Sequence, residues 1–191
     1  DLHSTSRRQR QMCIRDRMTS IPGISPKIKK PKRDLKPVIK LQYEVNKTLL
    51  HDEYYYPTDE RTIQECLDGD YILLGVYNKD KLIAASFAFE GGLFFSKPIT
   101  DWMEIPGNKI MCHEFVVVDM EYRGNGIQKR FMDATIREAR QMGYDTIWCC
   151  AHPNNTPSVC SIESTGYKFS DQFVVDGWPR NVYYRSTSIQ R

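Results

Sequence analysis

Residues 116–128, with the sequence VVVDMEYRGNGIQ, decide the fold because they join a buried strand to an amphipathic helix. The apolar block 115–118 predicts the end of a strand over 109–118. After Gly126, apolar residues recur at helical spacing up to Met142, which predicts a helix that ends at Gly143. The two glycines allow a tight turn, and the free N–H groups of the helix's first turn favour a phosphate. This stretch therefore predicts a βαβ unit with an anion-binding turn at its centre.

The segments on either side complete one α/β domain. A helix is predicted over 35–50, with Asp34 as its N-cap, and a short helix follows that is capped by Thr58 and ended by Gly69. A third helix is predicted over Pro157–Thr165, and residues 90–108 form a long connection. Strands are predicted at 24–29, Tyr71–Tyr77, Leu82–Phe89, Lys109–Val118, Asp145–Ala151, Tyr167–Val175 and Asn181–Arg185. This order predicts a single domain over residues 18–191, with a mixed, mostly antiparallel sheet, a central βαβ crossover and helices on both faces.

Composition limits the class of protein. The chain has 191 residues, of which 40% are apolar and 27% are charged, and such a mixture can bury a sizeable core. No apolar run approaches the ~18 residues that span a bilayer, so we expect no membrane segment and no export signal. The six cysteines form no C-x-x-C pair. This usage indicates a reducing cytoplasm, and we expect no metal site.

The basic charge is confined to the beginning of the chain. Residues 1–17 hold five arginines against two aspartates, which accounts for the whole formal net charge of +3. This stretch has no apolar periodicity and Met18 follows it, so we treat residues 1–17 as a non-native or disordered leader. The short run KIKKPKR at 27–33 is the remaining basic segment. The neutral balance of residues 18–191 disfavours a nucleic-acid partner.

Three interpretations compete for the glycine turn. A Walker loop requires G-x-x-x-x-G-K-S/T, which is absent. A dinucleotide fingerprint requires a third glycine where Lys129 stands. A plain glycine turn before a helix is the structural alternative.

The segment Arg123-Gly124-Asn125-Gly126-Ile127-Gln128 resembles the R/Q-x-x-G-x-G/A acyl-CoA pyrophosphate loop of the GNAT superfamily of N-acetyltransferases. Asn155-Thr156-Pro157-Ser158 and Gly166-Tyr167 are similar to later motifs of that family, and the element order matches its fold from about residue 24 to 187. The resemblance implies acetyl-CoA as acyl donor, bound in a V-shaped opening between two strands. The implied CoA-binding residues are Val116, Val117, Val118, Arg123, Gly124, Asn125, Gly126, Ile127, Gln128, Asn155 and Ser158.

Two positions depart from the family pattern. Gln128 replaces a glycine or alanine, so its side chain must point away from the pyrophosphate or bind it. Ile162 stands where the family often has a tyrosine that protonates the CoA sulfur. The nearest protic side chains are Ser158, Cys160 and Ser161, and the sequence does not choose among them.

The family often takes the amine proton with a carboxylate or histidine on the strand before the loop. Cys112 occupies the place of the base glutamate of some relatives, and Glu114 lies two residues on. We select Glu114 as the catalytic base, with His113 and His152 as rivals. A β-bulge on this strand would redirect the Glu114 side chain, and a structural ion pair is its alternative role.

The acceptor is expected to be a primary amine on a small molecule or a peptide. Aromatic and acidic side chains near the site suit such a ligand. The candidate acceptor residues are Tyr54, Tyr55, Trp102, Glu104 and Trp178. A non-catalytic acyl-CoA-binding module, or acetylation of an aminoacyl-tRNA or a protein amine, remain the alternatives, and a homodimer stays open.

Overall fold

A seven-stranded sheet forms the centre of the computed structural model, which describes residues 28–29, 35–91, 93–94, 97–98, 109–175 and 177–188. The helices are α1 (Lys36–Asn46), α2 (Glu60–Cys66), α3 (Ile127–Gln141) and α4 (Thr156–Ser164). The strands are β1 (Ile28–Lys29), β2 (Tyr71–Asn78), β3 (Lys81–Glu90), β4 (Leu93–Phe94), β5 (Lys97–Pro98), β6 (Ile110–Val118), β7 (Thr146–Ala151), β8 (Lys168–Val175) and β9 (Trp178–Ser186).

The strand order in this sheet is β1-β2-β3-β6-β7-β9-β8, and β4 pairs with β5 separately. Only β6 and β7 pair in parallel, and α3 connects them, so the predicted βαβ unit is confirmed. The other described pairs in the sheet are antiparallel. The prediction of a mixed, mostly antiparallel sheet is therefore confirmed.

Helices cover both faces of the sheet. The apolar stripe of α3, which includes Phe131 and Ile136, packs on one face together with Ile162 of α4. On the other face, Val38 and Leu41 of α1 pack with Ile63 of α2 against β2, β3 and β6. A third cluster on that second face joins Cys112, Trp148 and Val182 across β6, β7 and β9. In β7 and β9, neighbouring residues alternate between the two faces, as the period of a strand requires, and β6 does so on either side of a register shift opposite Phe87 and Ala88.

Some predicted boundaries were wrong. The N-cap of α2 is Asp59, whose Oδ1 accepts a hydrogen bond of 2.9 Å from the Thr62 N–H, whereas the Thr58 hydroxyl bonds elsewhere. Helix α1 ends at Asn46 rather than at residue 50. Trp178, predicted in a turn, pairs with Val175 as the first residue of β9. A short 3-10 turn, Asp52–Tyr54, occupies the predicted link between the first two helices.

Several predictions fall on residues outside the described ranges. They concern the leader 1–17, the Asp34 cap, and most of the connection 90–108 with Trp102 and Glu104. Among the residues that are described, no helix has the length and apolar character needed to cross a membrane.

Candidate active site

The site opens where β6 and β7 separate. Their parallel pairing covers only three positions, from Ile110–Thr146 to Cys112–Trp148, and the strands diverge beyond them. A cavity of about 540 Å³ lies in this opening. The predicted CoA-binding residues that line it are Val116, Val117, Val118, Arg123, Gly124, Gly126, Ile127, Gln128, Asn155 and Ser158. The predicted V-shaped opening is thus present, and most of the implied binding residues converge on it.

The glycine turn has the conformation that its sequence predicts. Gly124 and Gly126 have φ values of +76° and +67°, a region in which residues with a Cβ are strained. A Cβ built on either glycine would meet no heavy atom within 4 Å, so open space lies beside this backbone. Gly126 is the N-cap of α3, and its first-turn amides and helix dipole favour an anion here. The turn therefore fits a diphosphate.

Arg123 and Asn125 brace this turn. The Arg123 Nε donates to the Val118 carbonyl at 3.2 Å, and its Nη2 donates to the Thr48 Oγ1 at 2.9 Å. The Asn125 Nδ2 donates to the carbonyl oxygens of Tyr122 and Arg123, each at 3.1 Å. Asn125 does not line the cavity. These bonds hold the turn in shape and connect it to the segment that follows α1.

Gln128 does not occupy the diphosphate corner. Its Nε2 donates a hydrogen bond of 3.2 Å to the Ser158 Oγ and so connects the first turns of α3 and α4. The Gln128 side chain lines the cavity and is held by this bond to α4.

The hydroxyls of α4 differ in how they are engaged. The Ser161 Oγ donates to the Pro157 carbonyl at 3.0 Å, so its single proton is held within the helix. The Ser158 Oγ accepts from Gln128 and faces the cavity. Ile162, at the position of the family's tyrosine, also lines the cavity.

Glu114 lies at a β-bulge in the wall of the cavity. Phe115 pairs with Phe87 and His113 pairs with Ala88, so Glu114 has no partner on β3. Its Oε1 accepts 2.9 Å from the Thr58 hydroxyl and its Oε2 accepts 3.8 Å from the Cys112 Sγ. Glu114 is exposed in the cavity, but the protein packed around its carboxylate raises the pKa of Glu114. The hydrogen bonds from Thr58 and Cys112 offset part of that rise. A carboxylate whose pKa is raised toward neutrality is a better general base.

His113 is a weak candidate for the base. It is buried, its Nε2 lies 2.8 Å from the Ser86 Oγ, and its Nδ1 has no hydrogen-bond partner among the described residues. Burial lowers the pKa of His113 to about 4. A neutral imidazole with so low a pKa binds an amine proton poorly at pH 7.

His152 lies beside the cavity rather than in its lining. Its Nδ1 accepts a hydrogen bond of 3.2 Å from the Asn154 N–H, and its ring centre lies 5.2 Å from that of Tyr54, with the two rings tilted by 34°. Burial, assisted by the charge of Arg180, lowers the pKa of His152. These contacts give His152 a structural role at the end of β7.

The predicted acceptor residues are divided. Tyr54 and Tyr55 line the cavity, and the Tyr55 hydroxyl donates to the Gln42 Oε1. Trp178 is 48% exposed and lies outside the lining of the cavity.

Two further site residues were not predicted from the sequence. Thr58 was missed because its bond to Glu114 joins positions 56 residues apart, for which the sequence carries no local signal. Cys150 was also missed, although it lines the cavity on β7.

The chain belongs to the acetyltransferase (GNAT) family, whose model matches residues 39–167. Proteins of this family use acetyl-CoA as the acyl donor. A search of curated proteins finds no match.

Solved structures with the same fold include two N-acetyltransferases and the protein NAA60. An N-acetyltransferase from Staphylococcus aureus Mu50 has a TM-score of 0.67 and 15% identity, over 86% of this chain and 100% of that one. The ribosomal-protein-S18-alanine N-acetyltransferase of Escherichia coli has a TM-score of 0.63 and 13% identity, over 86% of this chain and 96% of that one. The Arabidopsis thaliana NAA60, in complex with a bisubstrate analogue, has a TM-score of 0.64 and 12% identity, over 84% of this chain and 97% of that one. At these identities the likeness establishes the fold.

Proposed function

We propose that this chain transfers an acetyl group from acetyl-CoA to a primary amine of a small molecule or peptide by direct attack. The observation that supports this most strongly is the joint position of Glu114 and the glycine turn, which both line one cavity between β6 and β7. The turn would hold the diphosphate, and the opening between the strands would admit the rest of the CoA arm. Acetyl-CoA supplies the thioester carbonyl that the amine attacks.

Glu114 removes the proton from the amine. An alkylamine with a pKa near 10.4 is protonated at pH 7, and making it neutral costs about 4.6 kcal/mol. A carboxylate with a raised pKa, fixed by Thr58, offsets part of this cost. The edge of β6 that faces the opening has no described partner strand beyond Cys112, so its backbone N–H groups near Val116 and Val118 can orient the acyl carbonyl.

Replacement of Gly124 tests the cofactor half of this proposal. Gly124→Trp would place an indole in the open space beside the turn and should abolish acetyl-CoA binding in calorimetry. Gly143→Trp is the matched control, because Gly143 also has a positive φ, +81°, and open space around it, but lies at the far end of α3. Both variants should lose similar stability, about 1–2 kcal/mol, from the left-handed conformation. Equal acetyl-CoA affinity in the two variants would contradict the proposed cofactor site.

Turnover tests the transferase half. CoA thiol release should follow the addition of alkylamines, arylamines, amino acids or short peptides to the wild-type protein with acetyl-CoA. A protein that binds acetyl-CoA but releases no thiol with any amine would instead be a non-catalytic acyl-CoA-binding module.

A further inference from the structure

Three side chains from adjacent strands lie in a row on one face of the sheet. They are Glu114 of β6, Cys150 of β7 and Arg180 of β9. Cys150 lies two residues after Trp148, and Arg180 lies two residues before Val182. Residues two apart in a strand share a face, so both project from the face that carries the cluster of Cys112, Trp148 and Val182. Glu114 shares that face, because its carboxylate contacts the Cys112 thiol.

Cys150 lies near the end of β7 and Arg180 near the start of β9, while Glu114 lies in the middle of β6, two residues beyond the last β6–β7 pair. Cys150 pairs with Val182, so Arg180 stands just beyond the last β7–β9 pair, Ala151–Asn181. Neighbouring strands are about 4.8 Å apart, and the backbones of Glu114 and Arg180 are therefore roughly 10 Å apart or more where the strands diverge. Burial raises the pKa of the Cys150 thiol and lowers the pKa of His152, and Arg180 is close enough that its charge offsets part of the first shift and adds to the second.

Arg180 carries a charge that no described carboxylate neutralises. Its Nη1 donates to the Pro179 carbonyl at 3.2 Å, and it has no ion pair among the residues that the structure describes. Glu53, one of the two acidic residues on the nearby 3-10 turn, lies 3.3 Å from the His51 ring nitrogen Nδ1 instead. Arg180 is half-buried, and Trp178, two residues earlier on the same face, adds a half-exposed aromatic ring beside it.

Arg180 does not line the cavity, but it stands two residues from Val182, the partner of the cavity residue Cys150. A guanidinium without an ion pair at that position suits an anion on a ligand that extends out of the cavity. We propose that the acceptor is an amine that carries a carboxylate on the same molecule, with its amine at Glu114 and its carboxylate at Arg180. This inference rests on the proposed function and narrows its acceptor class. The same two charges disfavour polyamines, because a second ammonium group would approach Arg180.

Matched acceptors isolate the role of the carboxylate. The probes are glycylglycine with glycylglycinamide, and γ-aminobutyrate with γ-aminobutyramide, so that each pair shares its amine and differs in one negative charge. Thiol release from acetyl-CoA is measured for the wild type, Arg180→Gln, Arg180→Lys and the control Arg61→Gln. Arg61 is an exposed residue of α2 that pairs with Glu65 at 3.7 Å, away from the cavity.

We expect the wild type to prefer the carboxylate member of at least one pair. Arg180→Gln should raise the KM of that carboxylate member tenfold or more, while the KM values of the amide member and of acetyl-CoA change less than about twofold. Arg180→Lys should recover part of the loss, and Arg61→Gln should match the wild type. A structural role for Arg180 would instead change both members of a pair equally.

The inference is overturned if Arg180→Gln affects both members equally or neither. It is also overturned if the wild type turns over polyamines but not the carboxylate members, or if it binds acetyl-CoA and accepts none of the four probes. Failure of the wild type to bind acetyl-CoA at all would refute the proposed function itself, and calorimetry with acetyl-CoA alone separates that outcome from the others.

Discussion

The substitution Glu114→Gln should lower turnover and, at neutral pH, raise stability. A glutamine keeps an oxygen that can accept the 2.9 Å hydrogen bond from the Thr58 hydroxyl, so the local structure should persist. It cannot accept the proton of the attacking amine. General base catalysis contributes about 10²–10⁴-fold, and we expect a loss in that range for an alkylamine at pH 7.

The effect of Glu114→Gln on turnover should depend on pH. An amine with a pKa near 10.4 becomes neutral by itself as the pH rises, so the ratio of wild-type to variant turnover should be greatest below pH 8 and fall above it. The affinity for acetyl-CoA should stay nearly unchanged, because the proposed diphosphate site is the glycine turn and does not include Glu114. Steady-state thiol release between pH 6 and pH 10 measures the ratio, and calorimetry measures the affinity.

Stability provides an independent readout of the same side chain. Burial raises the pKa of Glu114 in the folded protein above its unfolded value, so the folded state binds this proton more tightly. The stability that this proton supplies is fully present below pH 4.5 and is lost as the pH rises through the folded pKa. Glutamine does not ionise, and Glu114→Gln should therefore be more stable than the wild type at pH 7 and equal to it below pH 4.5. Because the carboxylate contacts cavity water, the gain should be less than about 1 kcal/mol.

Glu163→Gln is the matched control for both measurements. Burial also raises the pKa of Glu163, but this residue of α4 does not line the cavity, so turnover should be retained. Turnover of Glu114→Gln equal to the wild type at every pH would remove Glu114 from the role of base. A variant that is less stable than the wild type at pH 7 would show instead that the charged carboxylate supports the fold.

Two further predictions concern neighbouring residues. Burial lowers the pKa of His113 to about 4, so the folded protein keeps its imidazole neutral. This contribution to the free energy of unfolding, about 3 kcal/mol, should be lost as the pH falls from 6.5 to 4. Urea titrations should show that the stability of His113→Gln does not fall in this way, and an unchanged pH dependence would assign the fall to other groups. Gln128→Ala should leave the affinity for acetyl-CoA within about threefold in calorimetry, because the side chain bonds to Ser158 rather than to the diphosphate corner. The lost hydrogen bond should lower the free energy of unfolding by about 0.5–1.5 kcal/mol. A tenfold or larger loss of affinity would instead make Gln128 a direct ligand.

Local sequence signals predicted the elements that local physics controls. The apolar spacing of α3 and the two glycines before it specify a helix and a left-handed turn, and both are present. The wrong prediction of the α2 N-cap has a cause that is not local. Asp59 and Thr58 are both good N-cap residues, and the bond between Thr58 and Glu114 leaves the cap to Asp59.

The directions of side chains in the site could not be predicted in this way. The bulge at Glu114 depends on how β3 and β6 pair, and these strands are separated by the long connection at 90–108. The bonds from Arg123 to Thr48 and from Gln128 to Ser158 likewise join segments 75 and 30 residues apart. The sequence identified most of these residues, but only the folded chain shows that Arg123 braces the turn and that Gln128 bonds to Ser158.

The position of Glu114 follows from two interruptions in the same strand. On one side of β6, the pairing with β7 ends at Cys112, and on the other side the bulge leaves Glu114 without a partner on β3. A strand residue without regular pairing on either side is poorly fixed by its backbone, although it gains access to the opening between the strands. The direction of the carboxylate then depends on side-chain hydrogen bonds, and the stronger of these comes from Thr58 at 2.9 Å. The segment before α2 thus holds the proposed base in place, and the departure of β7 from β6 supplies the space beside it.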